Sequence, residues 1–232
     1  MAKKKGKLIV IDGTDGSGKA TQVEFLRKRL IKEGYKVKSI DFPHYYGNFF
    51  GDFIGHCLTE QYYNWLSIHP KIISIIYAAD RWESKDQIQK WLNQGYMVLA
   101  DRYTSSNQIH HGGKIPNSKK RAEFIKWLDK MEHGVFKIPR PDITFYLSLP
   151  ISEVLKLIKM RDISRVKREY LKKKKDVHEN DKNFLINSRK SALWLSETLP
   201  NFVKIDCMGK KAIRTREDIH EEVYEKVKKV IK

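Results

Sequence analysis

Cysteine is nearly absent: Cys57 and Cys207 are the only two in 232 residues. Two isolated thiols make neither a metal-ligand spacing nor a disulfide framework, so they read as reduced cysteines. Long apolar runs are missing too. No segment approaches the roughly 18 consecutive apolar residues of a membrane span. The start, Met1-Ala2-Lys3-Lys4-Lys5-Gly6, is charged, and only the short run Leu8 to Ile11 follows it. A signal peptide needs a longer apolar stretch and a cleavage site, so a cytoplasmic setting is the expectation. No internal repeat and no linker interrupts the chain, and residues 1–232 read as one domain. Acidic residues are outnumbered, 28 against 46 basic ones, for a net charge of +18. The excess is mostly lysine, spread along the chain and dense at Lys172 to Lys175. That pattern reads as a solvated surface whose positive field steers polyanions.

Apolar residues make up 41% of the chain, enough for a sizeable core. Five short runs predict strands: Leu8 to Ile11, Val37 to Phe42, Tyr96 to Ala100, Ile143 to Leu149 and Phe202 to Ile205. Helical spacing appears between them. Thr21 to Lys32 carries Val23, Leu26 and Leu30 on one face; Pro70 opens a helix running to about Asn93. Further helices are expected over Ala122 to Met131, from a cap at Ser152, over Asn183 to Leu199, and through Ile219, Val223, Val227 and Val230. Arg161 to Asp181 is charged and poor in apolar residues. Strands alternating with helices imply an α/β fold, a five-stranded parallel sheet with helices on both faces.

One loop carries chemistry. Gly13-Thr14-Asp15-Gly16-Ser17-Gly18-Lys19 matches the first seven positions of G-x-x-x-x-G-K-[ST], after a strand and before a helix. Its glycines let the backbone wrap oxyanions, and its N–H groups point at phosphates. Lys19 adds a point charge where negative charge gathers during phosphoryl transfer. The hydroxyl residue that usually follows is replaced by Ala20. Thr21 points about 100° away around the helix. Mg²⁺ must then be held through water, substrate oxygens or a carboxylate, and Asp15 is the nearest. The missing hydroxyl argues against a GTPase switch.

Further motifs follow in order: Asp41-Phe42-Pro43-His44-Tyr45, Tyr77-Ala78-Ala79-Asp80-Arg81, Asp101-Arg102-Tyr103-Thr104-Ser105-Ser106-Asn107 and Pro139-Arg140-Pro141-Asp142. Together with the loop through Gln22, they resemble thymidylate kinases over roughly residues 7 to 206. The resemblance implies a phosphate-loop nucleoside-monophosphate kinase fold with a mobile lid at about 161–181, and transfer of the γ-phosphoryl group of ATP to dTMP with Mg²⁺. It places ATP on Gly13 to Thr21, with Arg161 and Arg165 supplied by the lid because Gly16 stands where some relatives carry arginine. It places dTMP against Phe42, Tyr45, Tyr77, Arg81, Arg102, Ser106, Asn107, Gln108 and His110. His44 and His110 replace residues common in the family, often arginine and tyrosine. Asp15 and Glu179 are the implied carboxylates near the metal, and Lys19, Arg102 and Asp15 the catalytic set. Relatives commonly dimerise, which makes a homodimer an expectation.

The residues read physically agree with parts of this. Tyr77 and Arg81 share a helix face, four apart. An arginine at a strand's carboxyl end suits a bidentate grip on phosphate. Two alternatives stay open: a kinase for another nucleoside monophosphate or a deoxynucleoside, and a basic nucleic-acid-binding ATPase. No recognisable base-stacking module supports the second.

Overall fold

The computed structural model describes residues 5–58, 65–163 and 181–231, with backbone alone for residues 66 and 161–163. Five strands form one sheet, β1 (Lys7–Gly13), β2 (Val37–Asp41), β3 (Met97–Asp101), β4 (Ile143–Ser148) and β5 (Phe202–Asp206), in the order β2-β3-β1-β4-β5. All four pairings are parallel. The helices are α1 (Lys19–Lys32), α2 (Phe49–Leu58), α3 (Pro70–Asn93), α4 (Thr104–Ser106), α5 (Ser118–Asp129), α6 (Ile151–Ile163), α7 (Lys182–Thr198) and α8 (Arg216–Ile231). Two π-helical segments extend α4 and α5, over Asn107–His111 and Lys130–Val135.

The unbroken apolar run of β1 is what a central parallel strand requires, because side chains alternate between two covered faces. Ile9 and Ile11 pack with Leu26, Leu30, Val223 and Val227 of α1 and α8. Leu8 and Val10 pack with Ile88, Leu92, Leu128 and Leu195 of α3, α5 and α7. The neighbours β3 and β4 divide their residues the same way. The edge strands β2 and β5 are more exposed and carry Lys38 and Lys204; lysine on an edge discourages pairing with another chain.

All five strands lie within a residue or two of their expected bounds. Two local expectations change. Ser152 does not cap α6: the Pro150 carbonyl already accepts from Glu153 and Val154 N–H groups, so the helix starts before it. α5 begins earlier than Ala122, because Asn117 accepts from the Lys120 N–H at 3.0 Å and caps it. α2 carries Gly51 and Gly55, which weaken intrinsic helicity. Ile54, Cys57 and Leu58 hold it in place by burying against Trp65 and Ile73.

The topology sets the site. β1 sends its crossover to β2 on one side, while β4 and β5 extend the sheet on the other. In open α/β sheets ligands bind outside the carboxyl ends of strands at such a reversal. The Pro139-Arg140-Pro141-Asp142 motif sits at the opposite end. There Asp142 accepts from the Leu8 N–H at 2.8 Å and from Lys7 at 2.9 Å, pinning the entry of β1.

Candidate active site

β1 ends at Gly13 and the chain turns through the glycine-rich loop into α1. The turn is tight: a Cβ on Gly13 would stand 2.5 Å from Ser17 Oγ and 3.0 Å from the Leu147 carbonyl. Gly18 takes the left-handed conformation, φ 92°, from which α1 departs. The first N–H groups of a helix lack intrahelical partners and carry partial positive charge, which together favour an anion. Asp15 to Thr21 line a cavity of about 890 Å³. Gly13 and Thr14 lie behind that wall, and the Thr14 carbonyl accepts from Lys19 Nζ at 3.1 Å.

Two cations meet beside the loop. Burial lowers the pKa of Lys19, and neighbouring Arg102 lowers it further, against the pull of Asp15, Asp101 and Asp12. Arg102 follows β3 with φ 64°, unusual for a residue with a side chain. Its Nη2 donates to Asp15 Oδ1 at 2.8 Å, and its Nη1 lies 3.5 Å from Asp12 Oδ1. Burial opposes its charge, but Asp15, Asp12 and Asp101 outweigh burial, and its pKa is raised. Nη1 also bonds His110 Nε2 at 3.0 Å. A guanidinium only donates, so Nε2 accepts and the proton sits on Nδ1, which donates to Ser188 Oγ at 3.1 Å. Burial raises the pKa of Asp101, while Lys19 and Arg102 act against the rise.

Asp12 is fully buried. It accepts from Ser105 at 2.6 Å, Ser106 at 2.8 Å and the Gly13 N–H at 2.8 Å. It ties the loop to α4 across the sheet's carboxyl edge.

The β2–β3 side of the cavity is lined by Phe42, Tyr45, Tyr77, Arg81, Asn107 and His110. Phe42 packs on Tyr103 with ring centres 5.6 Å apart. Tyr77 lies 5.3 Å from the His111 ring and accepts from Trp65 Nε1 at 3.3 Å. Arg81 is buried and donates Nε to Glu132 Oε2 at 2.9 Å. Asn107 donates Nδ2 to Glu132 Oε1 at 2.8 Å and to the Ser74 carbonyl at 3.0 Å. Arg81 Nη2 and Asn107 Oδ1 are buried without a partner among the described residues. Tyr45 is carried by a loop that Asp80 anchors, accepting from the His44 N–H at 3.2 Å and Asn48 Nδ2 at 2.8 Å. Burial raises the Asp80 pKa despite these bonds.

The structure thus brings most of the expected residues to one cavity. Ser106 lines it but donates its hydroxyl to Asp12. Gln108 is not among the lining residues, and its carbonyl accepts from Ser191 at 2.9 Å. His111, beside His110, is buried and bonded to Ser74 at 2.9 Å. The Arg161 side chain, Arg165 and Glu179 lie outside the described residues. Sequence reasoning passed over Asp12, Glu132 and Ser188. It also passed over Leu149, Cys207, Ile213, Arg214 and Ile219, which line the β4–β5 side. Asp12 left a signal, an acidic residue closing an apolar strand. Glu132 left none, because it lies in a π-helical segment whose spacing matches no regular period.

A phosphate loop on the central strand, a buried lysine and a second, partly apolar compartment in the same cavity define a phosphate-loop kinase of a small anionic acceptor. The family model described as thymidylate kinase matches residues 11–201. The chain is 28% identical over 228 residues to thymidylate kinase of Plasmodium falciparum, covering 98% of this chain and 92% of that one. It is 28% identical over 156 residues to human thymidylate kinase, covering 67% of each. The solved thymidylate kinase of Candida albicans superimposes with a TM-score of 0.72 at 25% identity, over 98% of this chain and 94% of that one. The chain belongs to the thymidylate kinase family.

The Lys19 environment generates a test. Its folded pKa lies below the ordinary value of 10.5, so burying the ammonium works against folding below that folded pKa. The penalty is relieved only as pH rises from there towards the unfolded value. Lys19→Met removes the penalty together with the charge. Turnover should fall by about two to four orders of magnitude, while the thermal midpoint at pH 7 should equal or exceed that of the wild type. A variant that loses stability as well as turnover would contradict a lysine held for ligand rather than for fold.

Proposed function

We propose that the enzyme transfers the γ-phosphoryl group of ATP to dTMP, giving dTDP and ADP, within the single cavity at the carboxyl end of the sheet. The observation that carries this reading is the buried pair Arg81 and Asn107. Each keeps one polar atom without a partner among the described residues, beside the aromatic walls Phe42 and Tyr77. A guanidinium donor suits the O4 acceptor of thymine, and an amide oxygen suits its N3–H. Arg102 stands between this compartment and the phosphate loop, where it grips the acceptor phosphate. ATP lies with its phosphates on Gly13 to Thr21. Its base lies towards Leu149, Cys207 and Ile213 on the β4–β5 side. Lys19 neutralises the charge that spreads over the moving group. The reacting atoms need to lie about 3–3.5 Å apart in line. An already ionised acceptor phosphate needs no strong general base. The segment 161–181 acts as a lid that adds Arg161 and Arg165.

The residues fit a magnesium ion of the kind that nucleotides carry. Ala20 offers no hydroxyl, and no group of three or more His, Cys, Asp or Glu among the described residues makes a cage. Mg²⁺ usually takes one or two carboxylates and completes its shell with phosphate oxygens and water. Asp15 and Asp101 line the cavity and would hold it, with Glu179 as a further carboxylate. Bound there, the ion would offset the charge between donor and acceptor phosphates.

No described helix is long and apolar enough to cross a membrane. A cytoplasmic setting accords with the free, buried thiols of Cys57 and Cys207, which burial pushes up to about 11 and about 12. A homodimer would cover the exposed Ile72, Ile75 and Trp82 of α3 together with Phe49 of α2. Sedimentation at the monomer mass would remove that part of the reading.

The central test is kcat/KM with ATP for dTMP, dUMP, dCMP and dGMP. Thymine and uracil differ by one methyl, worth about 10–200-fold in an apolar pocket, so dUMP should be a poorer but measurable substrate. Cytosine presents a donor where thymine presents O4, so dCMP should lose more, and purines should not fit. Arg81→Ala should erode the dTMP-to-dCMP ratio much more than the dTMP-to-dUMP ratio. An order in which dCMP or dGMP exceeds dTMP would overturn the thymidylate reading and leave the kinase class standing. In the same assay Asp15→Asn should raise the magnesium concentration needed for half-maximal rate; an unchanged requirement would remove Asp15 from the metal.

A further inference from the structure

Glu132 is buried beneath the acceptor compartment, on the π-helical segment that prolongs α5. Its two oxygens go to different residues. Oε2 accepts from Arg81 Nε at 2.9 Å, and Oε1 accepts from Asn107 Nδ2 at 2.8 Å. The second Nδ2 hydrogen goes to the Ser74 carbonyl at 3.0 Å. Both partners of Nδ2 are therefore acceptors without a proton to give, and this fixes which way round the amide lies. With Nδ2 fully engaged, the oxygen is the amide's only remaining function, and Asn107 Oδ1 is buried without a partner among the described residues. Arg81 is held by the same carboxylate and keeps Nη2 unpaired in the same way.

We propose that Glu132 is a specificity-positioning residue: by taking Arg81 Nε and Asn107 Nδ2 it leaves the compartment the terminal donors of the guanidinium and one acceptor, Asn107 Oδ1. This rests on the acceptor reading given above. A base with an acceptor at position 4 and a donor at N3, as in thymine and uracil, meets both. Cytosine, with a donor at position 4 and an acceptor at N3, meets neither. Glu132 touches no substrate in this account; it selects the base through two residues that do.

The test is Glu132→Gln, which keeps shape and volume. Arg81 Nε only donates, so the new amide must give it Oε1. Its NH₂ then faces the Asn107 NH₂. Turning Asn107 over relieves that clash at the cost of its bond to the Ser74 carbonyl, and presents a donor to the compartment. Expected are a rise of about tenfold or more in KM for dTMP and a fall of about tenfold or more in the dTMP-to-dCMP ratio of kcat/KM. The dTMP-to-dUMP ratio and the KM for ATP should stay within about twofold, since neither depends on the amide's direction. Equal losses for dTMP and dCMP, or no loss, would overturn the proposal.

Glu132→Asp supplies the second variant. It keeps two acceptor oxygens on a shorter arm, so the dTMP-to-dCMP ratio should hold while KM for dTMP rises. If Glu132→Gln yields no folded protein, this variant decides. A collapsed ratio, or an unchanged KM, would contradict the assignment. A wild type without a preference for dTMP would instead undo the acceptor reading itself. A wild type that prefers dTMP beside a Glu132→Gln variant that keeps the ratio undoes only the role of Glu132.

Discussion

Lys19 and Arg102 stand close enough that Arg102 lowers the lysine's pKa, and Asp12, Asp15 and Asp101 hold the two cations in place. Buried like charges are tolerable only when paired. That constraint shapes the carboxyl end of the sheet. Asp12 is the last residue but one of β1, Asp101 closes β3, and Asp15 lies in the loop between β1 and α1, so the compensation comes from adjacent strands. Arg102 keeps its left-handed backbone, φ 64°, with its guanidinium tethered to Asp15 and His110. Strain of this kind persists where surrounding contacts over-determine it, and it gathers at functional sites. In the proposed complex, phosphates meet cations already placed, so little reorganisation remains for the moment of transfer.

The same logic holds at the acceptor end with different chemistry. Arg81 finds its counter-charge in Glu132, and Asn107 shares it. Removing one partner of a buried pair typically costs about 3–5 kcal/mol, so these groups form a rigid template rather than a mobile surface. Asn107, His110 and Glu132 all lie on π-helical segments. Such insertions shift side chains off the regular helical face and recur at functional sites. Here they turn Asn107 towards Glu132 and His110 towards Arg102.

What the sequence makes legible follows from how local each signal is. The run Leu8 to Ile11 announces a central strand because both faces of that strand are covered. Gly13 to Lys19 announces a phosphate loop because its chemistry lies in consecutive residues. Tyr77 and Arg81 announce a shared face because a regular helix repeats that spacing. Glu132 stays hidden because its partner Arg81 lies 51 positions away, and no period links them. Ser106 looks like a reader of bases in sequence, yet its hydroxyl donates to Asp12, whose burial appears only once the strands are packed. α2 stays hidden for a related reason: its stability comes from Trp65 and Ile73 rather than from its own propensity.

The central claim is that one cavity receives both nucleotides with their phosphates meeting at Lys19 and Arg102. Calorimetric titration with adenosine and thymidine joined through five phosphates tests it most directly. Joining two ligands that bind side by side makes the second contact intramolecular. One molecule should therefore bind per chain, about tenfold or more tighter than ATP or dTMP alone, and should exclude both. A joined compound that binds no more tightly than ATP, or that leaves dTMP free to bind beside it, would contradict the account.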